Sequence, residues 1–359
     1  MKKHLIIILF LSVFFCSYGQ KPSLRDIAEV KSPKGFAEWW DRYIFGRSDS
    51  AYIALPEERF MVSANLLLSG IYNKTINRIP KLDVDVDYVA NSGLCSKWSV
   101  GAAFRNLKFN YSRNIAGSYG RDFSIGCYGK IVGGEVQWQS YENVATTMHA
   151  VIAGHDLTLH FDENSSLNHV EVDRFLVNLY YVANHKKFSY NSAFAQAFIQ
   201  KKSCGSFIAG MTYIYNEIKA DNLVIGAIYG GATPIYTTHD IAVGAGYAYN
   251  FVSPNRHFMA HLSAMPLLKY TIKARIEREN AIDEGSHYVE MLNDEISAFT
   301  NKHFNIRPSF VGRAALLYTV GRYVAGVQGV YNYFWSGSDK GLAISTNTWQ
   351  ARAYFGVRF

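Results

Sequence analysis

Residues Thr348 to Phe359, TWQARAYFGVRF, close the chain, and their reading decides the fold. Trp349, Ala351, Ala353, Phe355, Val357 and Phe359 alternate with Gln350, Arg352, Tyr354, Gly356 and Arg358. A period of two is that of a β-strand, whose successive side chains point to opposite faces. One face here is wholly apolar, and the other carries two arginines. Such a strand belongs at a boundary between an apolar and a polar medium. A soluble β-sandwich offers that boundary, and so does the wall of a barrel standing in lipid.

The neighbouring strand repeats the pattern. Tyr323, Ala325, Val327, Gly329, Tyr331 and Tyr333 form one row, with Arg322, Gly326, Gln328 and Asn332 on the other. The tyrosines at its ends stand about eight to ten residues apart, which at a tilt near 40° is roughly 20–25 Å of height, the distance between two aromatic girdles. Further back, Val136 and Trp138 oppose Glu135, Gln137 and Gln139. Ile241, Val243, Ala245, Tyr247, Tyr249 and Phe251 oppose Ala242, Gly244, Gly246, Ala248 and Asn250. Chains of bacterial outer-membrane barrels commonly finish in a strand with a terminal Phe. The row Trp349, Phe355, Val357, Phe359 resembles the signal read by the barrel-assembly machinery.

The other end of the chain supports export. Lys2 and Lys3 precede the apolar run Leu5 to Phe15, and Ser17 and Gly19 flank a cleavage point before Gln20. That run has the length of a signal peptide and is too short to cross a bilayer as a helix. A lipoprotein reading would use Cys16, but Phe15 before it is too bulky. The remaining cysteines, Cys95, Cys127 and Cys204, make neither a disulfide framework nor a zinc motif. Net charge is +7, two units of it from Lys2 and Lys3, with no basic block, so nucleic acid is not a partner. Mean hydropathy is −0.06, and no later segment is apolar enough for a membrane helix. With 25 Tyr, 23 Phe and only 8 Pro the composition suits many long strands.

Residues 20–58 differ. Phe36, Trp39, Trp40, Tyr43 and Ile44 share one face of a short helix, with Glu38, Asp41 and Arg42 opposite. From 59 onward strand periods dominate, at 59–69, 81–90, 97–104, 107–113, 122–129, 133–141, 170–183, 187–200, 205–217, 238–252, 256–268, 307–319, 322–335 and 343–359. Tight connections fall at Arg105-Asn106, 130–132, 184–186, 253–256 and Gly321. Long polar ones fall at 113–121, 142–169, 269–306 and 336–341. That alternation belongs to outer-membrane barrels. The turn parity asks for one more strand in 220–236 and one early segment outside the wall. The expected fold is all-β: a transmembrane antiparallel up-and-down barrel of about 12–14 strands with a short N-terminal helical segment. Its divisions are a signal peptide at 1–19, a periplasmic segment at 20–58 and the barrel at 59–359.

DFSIGCYGKIVGGEVQWQSYENV at 122–144 and LYYVANHKKFSYNSAFAQAFIQKKSCGSFIAG at 179–210 carry a more specific likeness. With GAGYAYNFV at 244–252 and the terminal FGVRF, the chain from near Asp49 onward resembles the outer-membrane barrel family catalogued as domain of unknown function 4421. The resemblance implies an outer-membrane barrel. It brings no activity and no catalytic residues.

The one acidic motif, KLDVDVDYVAN at 81–91, is not a calcium loop. Counting from Asp83, the sixth and twelfth positions hold Tyr88 and Leu94 where an EF-hand needs Gly and Glu. As a wall strand, Leu82, Val84, Val86 and Tyr88 would face lipid, and Asp83, Asp85 and Asp87 the lumen, because carboxylates in hydrocarbon are costly. Their expected partners are the inward arginines Arg313, Arg322, Arg352 and Arg358, with Asp83 near Arg358 and Asp87 near Arg352. His261 and Ser263 share the lumenal face of their strand. They resemble the His-x-Ser arrangement of outer-membrane phospholipase barrels, but Ala264 and Met265 follow in place of polar and glycine positions, and no third partner is evident. His149, His155, His160 and His169 lie in a long loop and define no metal site.

These readings lead to an outer-membrane, porin-like barrel with a charged polar lumen, serving a structural or binding role or the passage of small solutes. No enzyme activity, cofactor or metal is expected. A lipid-modifying enzyme using His261 and Ser263 is the alternative. Expected partners are outer-membrane lipid, the assembly machinery, and a small solute or surface ligand.

Overall fold

The computed structural model describes residues 48–58, 60–118, 120–163, 165–280, 286–301, 306–337 and 341–359. The signal peptide and the helix around Trp39 and Trp40 lie outside the described residues. Strand β1 (Ile53–Ala54) precedes the first wall strand, β2 (Phe60–Ile79). There follow β3 (Val84–Asn91), β4 (Cys95–Phe104), β5 (Leu107–Ala116), β6 (Gly120–Cys127), β7 (Val132–Tyr141), β8 (Ala145–Ile152), β9 (His155–Phe161) and β10 (Asn168–Val182). Helix α1 (Asn191–Phe194), β11 (Ile199–Gln200), β12 (Cys204–Asn222), α2 (Leu223–Ile228), β13 (Thr233–Val252) and β14 (Phe258–Glu279) come next. The chain ends with α3 (His287–Asn301), β15 (Ile306–Val320), β16 (Tyr323–Gly337) and β17 (Leu342–Arg358).

Twelve strands close a ring. In the order β2, β4, β5, β6, β7, β10, β12 to β17 each pairs antiparallel with the next, and β17 returns to β2 from Met61↔Arg358 to Asn77↔Leu342. The seam is fastened at its end by Phe359, whose N–H donates to the Phe60 carbonyl at 2.7 Å, while the Phe60 N–H donates back at 3.2 Å. Alternation holds around the wall. Trp138, Val243, Tyr247, Leu262, Val327, Trp349 and Phe355 point outward, while Glu135, Gln137, Asn250, His261 and Gln328 are buried within. The apolar outward belt faces lipid, and closure of the ring leaves no edge of these twelve strands open to hydrocarbon.

Wall height is uneven. Strands β4 to β7 have 8 to 10 residues each, whereas β12, β13 and β14 have 19, 20 and 22. A crossing needs about 9–11 residues, so the longer strands rise well clear of the bilayer. The lower side is built up by an extension. The upper half of β2 pairs with β3, β3 with β8, and β8 with β9, above the short strands. Its inward face meets the tall strands in an apolar core that includes Val84, Val86, Tyr88, Met148, Val172, Ile218, Ile276 and Ile344. Helices α2 and α3 add Ile225, Ile228 and Leu292 to that core.

Short turns join strands at the end where Phe60 and Phe359 lie, through Arg105-Asn106, residues 128–131, 253–257 and Gly321-Arg322. That marks it as the periplasmic end. Gly321 and Arg256 take positive φ there, as tight hairpins demand.

Three expectations need correction. Residues 187–200 are not a wall strand: most of the stretch turns into the lumen. Residues 220–236 hold no additional strand, but the end of β12, α2 and the start of β13. The acidic strand is β3, outside the ring, and its phase is inverted: Val84, Val86 and Tyr88 are buried, while Asp85 is exposed and Asp87 half-buried. Above the bilayer the outer medium is water, so the apolar face turns inward.

Candidate functional site

The lumen is the part of the fold with the chemistry, and it is stopped from below by a piece of its own chain. After β10 the backbone turns at 183–187, and residues 188–198, FSYNSAFAQAF, fill the periplasmic half of the barrel. Phe188, Ala193 and Phe194 are buried there in one cluster with Met61, Tyr128, Ile208 and Met265, while Phe198 packs with Ile53 of β1. A helix of one turn, α1, leaves most of its backbone polar groups without internal partners, and the wall supplies them. Lys108 Nζ donates to the Phe194 carbonyl at 2.6 Å, and Gln328 Nε2 to that of Ala193 at 2.8 Å. Asn250 Nδ2 donates to the Ser189 carbonyl at 2.9 Å, and Arg358 Nη2 to that of Gln196 at 3.3 Å. In return Asn191 Nδ2 donates to the Tyr128 carbonyl at 2.6 Å, and Gln196 Nε2 to the Tyr354 hydroxyl at 2.6 Å. The plug leaves through β11, which pairs with β1 across the periplasmic mouth.

Above the plug is a charged layer. Lys97 meets Asp122 at 2.5 Å and lies over the Tyr141 ring. Arg313 meets Glu135 at 3.0 Å. Lys269 and Asp240, both fully buried, are 3.3 Å apart, and Ser336 donates to Asp240 at 2.9 Å. Arg174 Nη1 donates to the Thr348 hydroxyl at 2.6 Å, with the Phe334 ring beneath its guanidinium. Between this layer and Phe194 remains a cavity of about 40 Å³, lined in part by Lys108, Glu135, Arg313, Gln328 and Arg352.

The predicted charge network is divided between the two ends of the barrel. Asp83 ends a turn of 3-10 helix with positive φ. Asp85 meets Arg78 at 3.5 Å, and Asp87 meets Arg78 at 2.7 Å and Lys74 at 3.1 Å, all on the outer face of the extension. None of the three reaches the arginines expected for them. Partial burial works to raise the Asp87 carboxyl, but Lys74 and Arg78 outweigh it and hold it below its ordinary value. Arg322 is exposed in the periplasmic turn, 2.8 Å from Glu58. Arg313 and Arg352 face the lumen, and Arg358 lies against the plug. Glu135, Asp122 and Asp240, which do meet lumenal cations, sit at inward positions of correctly phased strands. That phase was the available signal.

His261 and Ser263 are buried in the lumen, and here the sequence missed a residue. Asn250, directly opposite His261 in the β13–β14 register, brings its Oδ1 to 2.7 Å from His261 Nδ1. Its Nδ2 donates to the Ser189 carbonyl and to Gln200 Oε1, which fixes the amide orientation. His261 therefore carries its proton on Nδ1 and presents Nε2 to Ser263 Oγ at 3.2 Å. Phe188, Tyr190 and Phe194 of the plug surround the imidazole, with ring centroids 5.0 to 6.2 Å away. Among the described residues no three His, Cys, Asp or Glu side chains are placed to hold a metal.

A closed antiparallel ring with an aromatic-bordered apolar belt, short turns at the end where Phe60 and Phe359 meet and a polar lumen defines a transmembrane β-barrel of the bacterial outer membrane. The chain belongs to the family described as domain of unknown function (DUF4421), whose model matches residues 47–359. None of the curated proteins matches it in sequence. Among solved structures it is similar to the outer membrane protease OmpT from Escherichia coli, at 7% identity and a TM-score of 0.41, over 85% of this chain and 98% of that one. It is also similar to the β domain of the Bordetella autotransporter BrkA, at 9% identity and 0.31, over 83% and 100%. A third is the P. putida toluene transporter TodX, at 9% and 0.29, over 85% and 91%.

Proposed function

We propose that this protein is a closed outer-membrane barrel with a structural or binding role, through which solutes do not diffuse. One observation carries the reading: the lumen is filled from both ends. Residues 188–198 occupy its periplasmic half, the apolar core beneath α2 and α3 occupies its extracellular end, and the cavity described between them measures about 40 Å³. A cavity of that size holds a few water molecules and no continuous aqueous path. The partners that suit such a barrel are lipid around the belt, the assembly machinery at the C-terminal strand, and a ligand at the extracellular surface. Purified protein in planar bilayers is expected to give no steady ionic current. A stable, ohmic conductance from the wild-type barrel would sink the proposal.

A second reading is favoured by Asn250. Ser263, His261 and Asn250 stand in the hydrogen-bonded relation of an acyl-transfer triad, with the base oriented by its third member. Against it stands the plug, whose three aromatic rings leave no room for an ester at Ser263. The better account is that Asn250, oriented by His261, latches Ser189 of the plug and Gln200 of β11 to the wall. Labelling with a fluorophosphonate probe separates the two. A latch leaves the protein unlabelled, whereas labelling that Ser263→Ala abolishes would establish the enzyme.

A further inference from the structure

Cations outnumber carboxylates in the lumen. Lys97, Lys108, Arg174, Lys269, Arg313 and Arg352 face inward, against Asp122, Glu135 and Asp240. Each carboxylate already has its own cation, Lys97, Arg313 and Lys269 respectively. Among the described residues no carboxylate is within ion-pair distance of Lys108, Arg174 or Arg352, although Glu135, already paired with Arg313, lines the same cavity as Lys108 and Arg352. Two of these, Lys108 and Arg352, line the same cavity above Phe194. Lys108 is 3% exposed, and its contact with the Phe194 carbonyl uses one of three ammonium donors. Arg352 Nε is buried with no partner. Arg174 adds its field from above, because it lies opposite Gln139, which lines the cavity too.

We propose that this cavity binds a small monovalent anion, of halide or formate size, held between Lys108 and Arg352. Burying uncompensated charge is costly, and water can solvate a cation but cannot neutralise it. A counter-anion does both. The amide of Gln350, beside the space, can turn its N–H groups toward it. About 40 Å³ accommodates one such ion and excludes phosphate esters or sugar acids. The inference rests on the closed-barrel reading, since the size limit is set by the plug.

Crystals grown in sodium bromide test it by anomalous scattering. The expected result is a bromide peak between Lys108 and Arg352 in the wild type, lost or strongly reduced in Lys108→Met and in Arg352→Gln. A map with the plug in the lumen and no bromide peak overturns this proposal alone. A map with the lumen empty of both overturns the closed barrel and this inference with it. In solution, the melting temperature of the wild type should rise when gluconate is exchanged for chloride at fixed ionic strength, and that of Arg352→Gln should not. Equal melting of the wild type in both salts also overturns the site.

Discussion

The Lys269–Asp240 pair offers the sharpest measure of how dry the lumen is. Both side chains have no exposed surface, and their charged atoms are 3.3 Å apart. Lys269 Nζ also donates to Ser336 Oγ, which donates in turn to Asp240 Oδ2 at 2.9 Å, so three groups form a closed triangle. Asp240→Leu removes the carboxylate and leaves the ammonium buried. Breaking a desolvated pair from one side costs about 3–5 kcal/mol, whereas an exposed pair costs only ~0.2–1 kcal/mol. Lys269→Met should cost a similar amount from the other side. The double variant Asp240→Leu/Lys269→Met, which removes both charges, should lie within about 1 kcal/mol of the wild type or above it. The coupling energy of the cycle is then at least about 5 kcal/mol. Guanidinium unfolding of the barrel in detergent, followed through tryptophan fluorescence, gives the four midpoints needed. Single variants that each lose less than about 1 kcal/mol would show that water reaches the pair, and the description of a filled lumen would be wrong.

Other outcomes follow from the same geometry. Asn250→Ala should loosen the plug without unfolding the wall, seen as faster trypsin cleavage at Lys186, Lys187, Lys201 and Lys202 with an unchanged heat-modifiable band; unchanged cleavage would remove the latch. Asp87 has a folded pKa below its ordinary value, so its stabilising effect on the extension is complete above the unfolded pKa and fades as pH falls through the folded one. Protection factors of the amides in β3 and β8, which correct for the intrinsic pH dependence of exchange, should therefore fall in acid in the wild type and depend less on pH in Asp87→Asn. Deleting Phe359 removes a terminal ring and a reciprocal pair of backbone bonds from the seam, and folded protein recovered from the membrane should fall several-fold against equal synthesis. Equal recovery would leave that end without a role in assembly.

What could be read in advance depended on which medium each face meets. In β7, β13, β16 and β17 the outer medium is lipid, so an apolar row means outward, and Trp138, Val243, Val327 and Phe355 were placed correctly. KLDVDVDYVAN shows the same alternation, but β3 stands above the bilayer, and alternation alone does not say which face is wet. The error there is a sign, and it carried all three aspartates with it. FSYNSAFAQAF failed for another reason. Its aromatic residues at 188, 190, 194 and 198 mimic a strand, yet their setting is the inside of the barrel, which no local pattern reports. His261 and Ser263 were legible because they are two apart on one strand. Asn250 was not, because its place in the group depends on the β13–β14 register. The surplus of lumenal cations became visible only when each carboxylate had been assigned its partner.

The plug also bears on the order of events as the barrel forms. Its segment lies between β10 and β12 in the chain, but its bonds reach Lys108 on β5 and Gln328, Tyr354 and Arg358 on the last two strands. The seam joins the first wall strand to the last, a pairing across nearly the whole chain and slow to find by diffusion. Until it forms, β2 and β17 are open edges able to pair with other chains. A compact segment that grips both sides of the gap shortens that search. It would act as a mandrel: the wall closes around a piece of the chain already made, and the last strand is recruited to it before it meets the first.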